Sequence, residues 1–380
     1  MPQPDVLVIG GGIIGLACAR ELAGRGLRVA LYERERPSGA ASPASAGLLA
    51  PLSHLPVPGA FIDALKRARD EWPEWCAALA DESGVEVELD TSGLLLFAAD
   101  DRQEEFLERV RHSARACAEP VEEIDVAAAV SQVPDLAPAV RRALRLAGEL
   151  RVDNEAVLAA LRAAAERRGV EVVHGPPVEA LDTLPGAVAA RGAGFRRAAA
   201  WAVVAAGAWS GQIAGIAPLP IFPLRGQMLR LRGVRWPWGG SLRDADVYAV
   251  RRGSEDLLVG ATVERAGFAA EVTAEGIAGL LQAALTLLPG LAPRPIVSSW
   301  AGLRPGSPDE QPLIGPVGER VLAATGHHRD GILLAPWTAQ RVAEMLAAGG
   351  REPAGWPFSP SRFASIGRVK TDPAPHATSL

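Results

Sequence analysis

The chain has 380 residues, of which 48% are hydrophobic and 22% are charged, and its formal net charge is −5. This length exceeds the size at which one hydrophobic core usually stops growing, so it predicts a globular protein of two domains. The small negative charge gives no reason to expect nucleic acid or an anionic membrane as a partner.

The three cysteines, at positions 18, 76 and 117, form no C-x-x-C pair and no spacing typical of metal ligands. Their pattern fits a reducing cytoplasm, and no metal site is predicted. The longest apolar run, over residues 198–209, is too short to span a bilayer. No basic segment precedes the first predicted strand. We therefore expect no signal peptide, no stable membrane insertion and a cytoplasmic location.

The first 33 residues follow the order strand, glycine turn, helix, strand and acidic residue. Residues 5–9 are a short apolar run typical of a buried strand, and Gly10, Gly12 and Gly15 match G-x-G-x-x-G. In this pattern the first glycine permits a tight turn, and the second lets a pyrophosphate approach the backbone. The third lets the helix pack close to the strand. The next strand ends in Glu33, whose carboxylate can accept hydrogen bonds from a ribose. The complete unit predicts a dinucleotide site without determining which dinucleotide binds.

After this unit the hydrophobic pattern predicts helices mixed with strands. Helices are expected over residues 61–83, with an interruption near Pro73, and over 102–118, 154–168, 273–288 and 331–348. Strands are expected over residues 93–99, 170–173, 201–206, 224–232, 247–251, 256–260, 296–303 and 320–325. The strands between residues 224 and 260 indicate an antiparallel meander. Residues 38–50 are rich in glycine, alanine and serine, and such small side chains let a backbone approach a ligand.

The order of these elements predicts an α/β fold with two interleaved domains. A Rossmann-like dinucleotide-binding domain is expected over residues 1–84, 148–218 and 298–350, and a substrate domain of α+β type, built on an antiparallel sheet, over residues 85–147 and 219–297. Residues 351–380 are expected to form a C-terminal tail that is disordered from about Asp372. The interleaving disfavours an NAD-linked dehydrogenase, which usually keeps its nucleotide domain in one block.

Several segments are similar to motifs of a known protein family. Residues 41–51, Ala-Ser-Pro-Ala-Ser-Ala-Gly-Leu-Leu-Ala-Pro, resemble the flavin-proximal loop of the D-amino-acid oxidase (DAO) family of flavoproteins. Residues 300–309 and 326–336 look like two signatures of the family's glycine-oxidase group, whose members often serve thiazole formation in thiamine synthesis. The hairpin formed by residues 247–252 and 259–264 is similar to the group's substrate segment. The resemblance spans most of residues 4–348; it is strong at the two ends and weak from about residue 56 to residue 150.

This resemblance implies FAD held without covalent attachment in the Rossmann-like domain. The implied FAD-binding residues are Gly10, Gly12, Ile13, Ile14, Gly15, Glu33, Arg34, Ala41, Ser42, Ala46, Gly47, Leu48, Val178, Gly207, Arg329, Asp330, Gly331, Ile332 and Leu333. Residues 329–333 would present backbone N–H groups to the flavin carbonyl edge near a helix start, where the helix dipole stabilises negative charge. Related sarcosine oxidases attach their flavin through a cysteine near residues 300–308, where this chain has none.

Three residues are expected in the catalytic site. A guanidinium can bind a planar carboxylate bidentately, so Arg304 is the predicted anchor for an amino-acid substrate. Tyr248 is predicted to make the second carboxylate contact, with a structural role in a half-buried strand as the alternative. Arg329 is a weaker candidate that would reach both substrate and flavin. The adjacent histidines His327 and His328 have no third partner nearby in sequence, which argues against a metal site.

The resemblance implies oxidative deamination of glycine, small D-amino acids or sarcosine. Hydride would pass from the substrate Cα to flavin N5, and the products would be an imino or oxo acid, ammonia and hydrogen peroxide. One alternative is a dehydrogenase that passes electrons to a quinone or a partner subunit. Another is a non-catalytic flavoprotein subunit, which Arg304 and Tyr248 together disfavour. The sequence leaves open whether the chain forms a homo-oligomer.

Two departures from the group's pattern leave the preferred amino acid open. Residues 249–252 lack the proline that commonly precedes the final arginine of this segment. Leu48 and Val263 stand at positions where pocket side chains of other sizes would also fit. Both differences can change the width of the pocket, and with it the choice between glycine, sarcosine and D-alanine.

Overall fold

The computed structural model of the chain describes residues 3–34 and 39–364, so the predicted disordered end lies outside the described residues. The strands in these residues are β1 (Val6–Ile9), β2 (Val29–Arg34), β3 (Leu48–Leu49), β4 (Leu89–Asp90), β5 (Leu94–Ala98), β6 (Glu122–Ile124), β7 (Arg142–Leu146), β8 (Leu150–Val152), β9 (Glu171–Gly175), β10 (Ala180–Leu184), β11 (Ala187–Gly192), β12 (Phe195–Ala199), β13 (Trp201–Val204), β14 (Phe222–Leu231), β15 (Ser241–Arg243), β16 (Tyr248–Arg252), β17 (Asp256–Gly260), β18 (Ile296–Gly306), β19 (Leu313–Gly318) and β20 (Val321–Thr325). The α-helices are α1 (Ile13–Gly24), α2 (Ala41–Ala44), α3 (Ala60–Ser83), α4 (Asp101–Ala116), α5 (Val126–Gln132), α6 (Asn154–Arg167), α7 (Ala274–Leu287) and α8 (Ala335–Ala347).

The first sheet is the dinucleotide-binding layer that the opening residues predict. Its strand order is β19-β20-β13-β1-β2-β9, and all neighbouring pairs are parallel except β19 with β20. All four residues of β1 are buried, as a central parallel strand covered on both faces requires. The sheet takes its strands from the start, middle and end of the chain. This arrangement matches the interleaved order expected from the sequence.

The second sheet has the order β18-β14-β17-β16-β15-β5-β7-β6 and is antiparallel except where β15 pairs with β5. Helix α7 packs on β14 and β17, and their apolar side chains form a second core. Two small sheets, β10-β11-β12 and β3-β8-β4, complete the strand pairing described here. Side chains alternate between the two faces along each strand of the large sheet. One face therefore packs in the core under α7, and the other faces the first domain.

Three sequence expectations differ from the structure. Strand β18 was expected to return to the first domain, but it pairs along most of its length with β14 in the second sheet. The expected domain boundary at residue 298 therefore falls inside a strand. Helix α3 continues through Pro73 because buried residues before and after the proline, including Trp72 and Cys76, hold the helix against the core. The last helix begins at Ala335, since the residues before it form turns.

No helix within the described ranges is both long and apolar enough to cross a membrane.

Candidate active site

A cavity of 620 Å³ lies between the carboxyl ends of β1 and β2 and the inner face of the second sheet. Ile9, Gly10 and Tyr32 line it from the first sheet, while Tyr248 and Arg304 line it from the second. Ligands of open α/β sheets bind at this edge because the chain leaves the strands there in loops. The cavity thus joins the predicted dinucleotide site to the predicted substrate residues.

The glycine turn shapes one end of the cavity through close backbone contacts. Gly10 has φ +110°, and a Cβ atom there would lie 2.4 Å from the carbonyl oxygen of Ala205. A Cβ atom at Gly15 would lie 1.8 Å from the carbonyl oxygen of Gly10. Gly15 itself does not line the cavity. Its absent side chain lets α1 pack against the turn, which is the structural role expected for the third glycine.

The start of α1 lies at the cavity, next to the glycine turn. Gly12, Ile13 and Ile14 line the cavity at this point. The N–H group of Ile13 donates to the hydroxyl oxygen of Ser42 at 3.0 Å, and the N–H group of Gly11 donates to the Glu33 carboxylate. These two donors have partners within the protein, so the feature that favours a bound anion here is the positive end of the α1 dipole.

The expected adenosine end contains an aromatic residue that the sequence analysis did not single out. The Arg34 guanidinium lies 3.6 Å from the ring centroid of Trp209, and both residues line the cavity with Glu33, Val178 and Gly207. Burial lowers the pKa of Arg34. Trp209 follows strand β13 in the segment Gly207–Gln212, and its position after a parallel strand is the sequence signal by which it could have been found.

The small-residue loop lies against the cavity because it is fixed from behind by side chains from other elements. The Asn154 amide donates to the carbonyl oxygen of Ser42 at 2.9 Å, and the Trp300 indole donates to that of Ala44 at 3.0 Å. A Cβ atom at Gly47 would lie 2.0 Å from the carbonyl oxygen of Val152. The predicted loop residues Ala41, Ser42, Ala46, Gly47 and Leu48 all line the cavity.

The segment before α8 forms another wall of the cavity. Of the five residues predicted to bind FAD in this segment, Arg329, Asp330, Gly331 and Ile332 line the cavity, whereas Leu333 does not. Leu333 is buried in the core, and its carbonyl oxygen accepts a hydrogen bond of 2.9 Å from the indole N–H of Trp72. The side chain of Leu333 therefore anchors this segment in the core.

His327 stabilises the same segment. Its Nε2 atom lies 3.0 Å from the Thr338 hydroxyl, and burial lowers the pKa of His327 to about 3. The imidazole is therefore neutral at neutral pH and joins the loop to α8. Among residues 3–34 and 39–364, no group of three or more His, Cys, Asp and Glu side chains is placed to hold a metal ion.

Arg304 is held over a glycine on the neighbouring strand. Its Nη1 atom donates to the carbonyl oxygen of Thr262 at 3.0 Å. A Cβ atom at Gly226 would lie 2.3 Å from the same nitrogen. Gly226 was not predicted, and the sequence signal for it is a glycine inside a strand pattern, which often marks a close approach. The guanidinium lies flat above β14 because this position has no side chain.

Tyr248 has a similar relationship with a second glycine. Its hydroxyl group lies 3.7 Å from the Met228 sulfur, and a Cβ atom at Gly260 would lie 2.8 Å from the hydroxyl oxygen. Burial raises the pKa of the Tyr248 hydroxyl, and the positive charge of the nearby Arg304 opposes this larger effect. Neither Met228 nor Gly260 was predicted.

The charges on this side of the cavity are mainly positive. Arg243, Arg304 and Arg329 all act electrostatically on Tyr248. Burial raises the pKa of Tyr248 although the three arginines oppose the rise, and burial lowers the pKa of Arg304. Arg243 lines the cavity but was not predicted, because nothing in its local sequence distinguishes it from other strand arginines. The arrangement favours an anionic group beside the Tyr248 hydroxyl.

Comparison with known proteins agrees with this geometry. The family model described as FAD dependent oxidoreductase (DAO) matches residues 5–345. Glycine oxidase of Pseudomonas aeruginosa is 34% identical over 377 residues, which cover 96% of this chain and 99% of that protein. The bifunctional protein ThiO/ThiG of Trichormus variabilis is 35% identical over 366 residues, covering 94% of this chain and 55% of that protein.

The fold is similar to that of a solved relative. The crystal structure of glycine oxidase from Geobacillus kaustophilus superposes with a TM-score of 0.88 at 30% identity, covering 95% of this chain and 99% of that one. The chain spans about half the length of the ThiO/ThiG protein. The findings confirm the predicted fold class and FAD as cofactor, and the matching family is one of FAD-dependent oxidoreductases.

The residues on the cavity fit FAD by their small size at the expected cofactor end. Glycine, alanine and serine residues at positions 10, 12, 40–42 and 44–47 line this half, and none of the three buried cysteines lines the cavity. The chain belongs to the DAO family of FAD-dependent oxidoreductases.

Proposed function

We propose that this enzyme oxidises glycine and other small amino acids with one α-carboxylate, including sarcosine and small D-amino acids. The observation that carries the proposal is the Arg304 guanidinium, held over Gly226 beside the Tyr248 hydroxyl in the cavity that contains the glycine turn. A carboxylate between these two groups has donors on two sides. The similarity to glycine oxidases supports the same substrate class.

The residues of this chain would act mainly by orientation. FAD, when bound, supplies the acceptor for the hydride that leaves the substrate Cα. Arg304 and Tyr248 hold the carboxylate, so that the Cα–H bond points in one direction. Because the substrate loses its rotational and translational entropy on binding, less entropy has to be lost in the reaction step. The reaction needs no strong protein base because the substrate reacts as its neutral amine. His327, neutral and bound to Thr338, fits a structural role in this scheme.

Glycine or a small D-amino acid would give an imino acid that hydrolyses to an oxo acid and ammonia, whereas sarcosine would give the oxo acid and methylamine. Hydrogen peroxide would form from oxygen in both cases. The likeness to about half of a ThiO/ThiG protein supports a place in thiazole formation for thiamine synthesis. Non-covalent binding of FAD is part of the proposal, since no cysteine stands in residues 300–308.

A substrate panel tests this proposal. Purified protein loaded with FAD is assayed with glycine, sarcosine, D-alanine, D-proline and L-proline, both for peroxide formation and with an artificial electron acceptor. We expect peroxide with glycine, sarcosine or D-alanine. Turnover with the acceptor alone would instead show a dehydrogenase. Absence of flavin reduction by every amino acid in the panel would reject the proposed function.

A further inference from the structure

Strand β16 carries two long polar side chains on one face, Tyr248 at its first residue and Arg252 at its last. Side chains four residues apart in a strand share a face and are about 14 Å apart. Tyr248 lines the candidate substrate site, whereas Arg252 lies outside the cavity. Val250, between them, packs with Ala46 in one buried cluster. This face of β16 is therefore turned towards the cofactor end of the cavity.

Arg252 joins β16 to groups outside its own sheet. Its Nη2 atom donates to the side-chain oxygen of Asn154 at 2.6 Å and to the carbonyl oxygen of Ala46 at 3.4 Å. Its Nη1 atom forms an ion pair with Asp153, the N-cap residue of α6. The Arg252 side chain is only 10% exposed. Because Asp153 balances its charge, the contacts of Arg252 serve to join the strand to α6.

Asn154 extends this connection to the small-residue loop, residues 41–48. It is the first residue of α6 and is buried. Its side-chain oxygen accepts from Arg252, and its amide nitrogen donates to the carbonyl oxygen of Ser42 at 2.9 Å. The Ser42 hydroxyl in turn accepts from the N–H group of Ile13 at 3.0 Å. A continuous chain of contacts thus links Arg252 to the loop and to the start of α1.

Strand β18 repeats the arrangement of β16. Trp300 and Arg304 are also four residues apart, and the Trp300 indole donates to the carbonyl oxygen of Ala44 at 3.0 Å. Between them, a Cβ atom at Gly302 would lie 2.6 Å from the Cβ atom of Ala44. Both strands are hydrogen-bonded to a neighbouring strand along these residues. Each strand therefore joins a predicted substrate residue rigidly to a residue that holds the small-residue loop.

We propose that Arg252, acting through Asn154, is a positioning residue that fixes the small-residue loop relative to the substrate carboxylate. The loop would flank FAD, when bound, while Tyr248 on the same strand would hold the substrate, so this role of Arg252 rests on the proposed function. A displacement of about 1 Å between reacting groups can lower a rate about 100-fold. Arg252 itself contacts neither the substrate nor the reacting atoms, because it lies outside the cavity.

Binding of FAD tests this role without any substrate. Apoprotein of the wild type, Arg252→Met and Asn154→Ala is titrated with FAD, and the absorption spectra of the saturated proteins are compared. We expect the dissociation constant of FAD to rise about tenfold or more in both variants, because a hydrogen bond to a charged group is lost. The flavin absorption bands should also shift, since the loop beside the flavin is no longer held.

Arg251→Met is the matched control. Arg251 precedes Arg252 in β16 and is buried, and its side chain donates to the carbonyl oxygens of Trp236 and Ser254. Its loss should affect the thermal unfolding of the apoprotein and leave the dissociation constant and spectrum of FAD like those of the wild type. Equal dissociation constants and spectra in Arg252→Met and Arg251→Met would overturn the inference. Arg252→Lys replaces Arg252→Met in this comparison if the methionine variant does not fold.

Anaerobic reduction of the flavin by the best amino acid of the substrate panel separates positioning from substrate binding. In Arg252→Met we expect the limiting rate constant to fall about tenfold or more, with the apparent dissociation constant of the substrate within about threefold of the wild type. Arg252→Lys keeps the charge beside Asp153 without the planar fork that also reaches Asn154, so its rate constant should be intermediate. A limiting rate constant unchanged in Arg252→Met would overturn the inference.

A double variant tests whether Arg252 acts through Asn154. In Arg252→Met/Asn154→Ala the dissociation constant of FAD should be within about threefold of that of the weaker-binding single variant, because both changes break the same chain of contacts. Effects of the two changes that multiply in full would show that the residues act independently, and would overturn the connection through Asn154.

The failure of this inference differs from the failure of the proposed function. Reduction of the wild-type flavin by glycine, sarcosine or D-alanine, with Arg252→Met equal to Arg251→Met in every measurement, rejects only the role of Arg252. Absence of flavin reduction in the wild type by every amino acid in the panel rejects the proposed function, and with it the role of Arg252 in the reaction.

Discussion

The two ends of the cavity are constructed in different ways. The cofactor end uses backbone and small residues that are close in sequence, from Gly10 to Ile14 and from Ala41 to Leu48. The substrate end uses long polar side chains from strands of one antiparallel sheet, and glycines on neighbouring strands leave room for them. A single added methyl group should therefore damage the two ends differently. At the first end it displaces backbone, and at the second it displaces a side chain.

The largest effect is expected at Gly15, where a substitution tests most directly whether the cofactor end depends on close backbone packing. A Cβ atom there would lie 1.8 Å from the carbonyl oxygen of Gly10, so Gly15→Ala must move α1 away from the glycine turn. We expect loss of FAD and a drop in the free energy of unfolding of more than about 4 kcal/mol. Thermal unfolding and flavin absorbance after purification measure both.

Gly279→Ala is the matched control for this prediction. Gly279 lies exposed in α7, and a Cβ atom there would have no neighbouring atom within 4 Å. Alanine at this position should stabilise the helix by up to about 1 kcal/mol. If Gly15→Ala binds FAD as tightly as Gly279→Ala does, the close packing of the turn has no part in holding the cofactor.

The next effect is expected from Arg304, which belongs to the substrate end alone. Arg304→Met should lower kcat/KM for carboxylate substrates by a factor equivalent to about 2–5 kcal/mol of transition-state stabilisation, because the α-carboxylate loses a buried charged partner. FAD content should remain that of the wild type. Arg304→Lys keeps the charge without the bidentate geometry, so we expect an intermediate value. Steady-state kinetics with glycine measure the change, and a kcat/KM like that of the wild type would remove Arg304 from the substrate site.

A smaller effect is expected when Arg304 is kept but displaced. Gly226→Ala places a methyl group against the guanidinium, whose nearest nitrogen would lie 2.3 Å from it. We expect an increase in KM equivalent to about 1–3 kcal/mol, with FAD retained. The control is Gly175→Ala, since a Cβ atom at Gly175 has no neighbour within 4 Å. Equal KM values in the two variants would show that Gly226 does not set the position of Arg304.

The sequence predicted the cofactor end more completely than the substrate end. The glycine turn and Glu33 are local patterns whose spacing follows from backbone geometry, and the structure places them together on the cavity, with Gly15 behind the turn. Arg304 and Tyr248 also lie on the cavity, but their identification needed similarity to known motifs. Their role in binding substrate stays a prediction.

The residues that the sequence analysis missed depend on strand register. Gly226 matters because it lies beneath a guanidinium from β18, and Arg243 because it is opposite Tyr248. The pairing of β14 with β18 joins residues about 80 positions apart, and no periodicity along one strand reveals its partner. The assignment of residues 298–306 to the first domain was wrong for the same reason.

The smallest effect is expected from loss of the Tyr248 hydroxyl. The pH dependence of this effect tests whether the substrate end presents a neutral donor. Burial raises the pKa of Tyr248 above the ordinary value of about 10, so the hydroxyl keeps its proton and can donate from neutral pH to about pH 9. Tyr248→Phe should therefore lower kcat/KM by about 1–2 kcal/mol, the value of one hydrogen bond to a charged group.

The loss in Tyr248→Phe should be the same factor at each pH in this range, because any change of rate with pH comes from the substrate amine, which is identical for both enzymes. Profiles of kcat/KM against pH for the wild type and the variant measure this factor. A factor that shrinks as the pH rises would mean that the tyrosine loses its proton in this range. In that case the three arginines, and not burial, would dominate the pKa of Tyr248. The substrate end would then stabilise Tyr248 as a phenolate, which cannot donate a hydrogen bond to a substrate carboxylate.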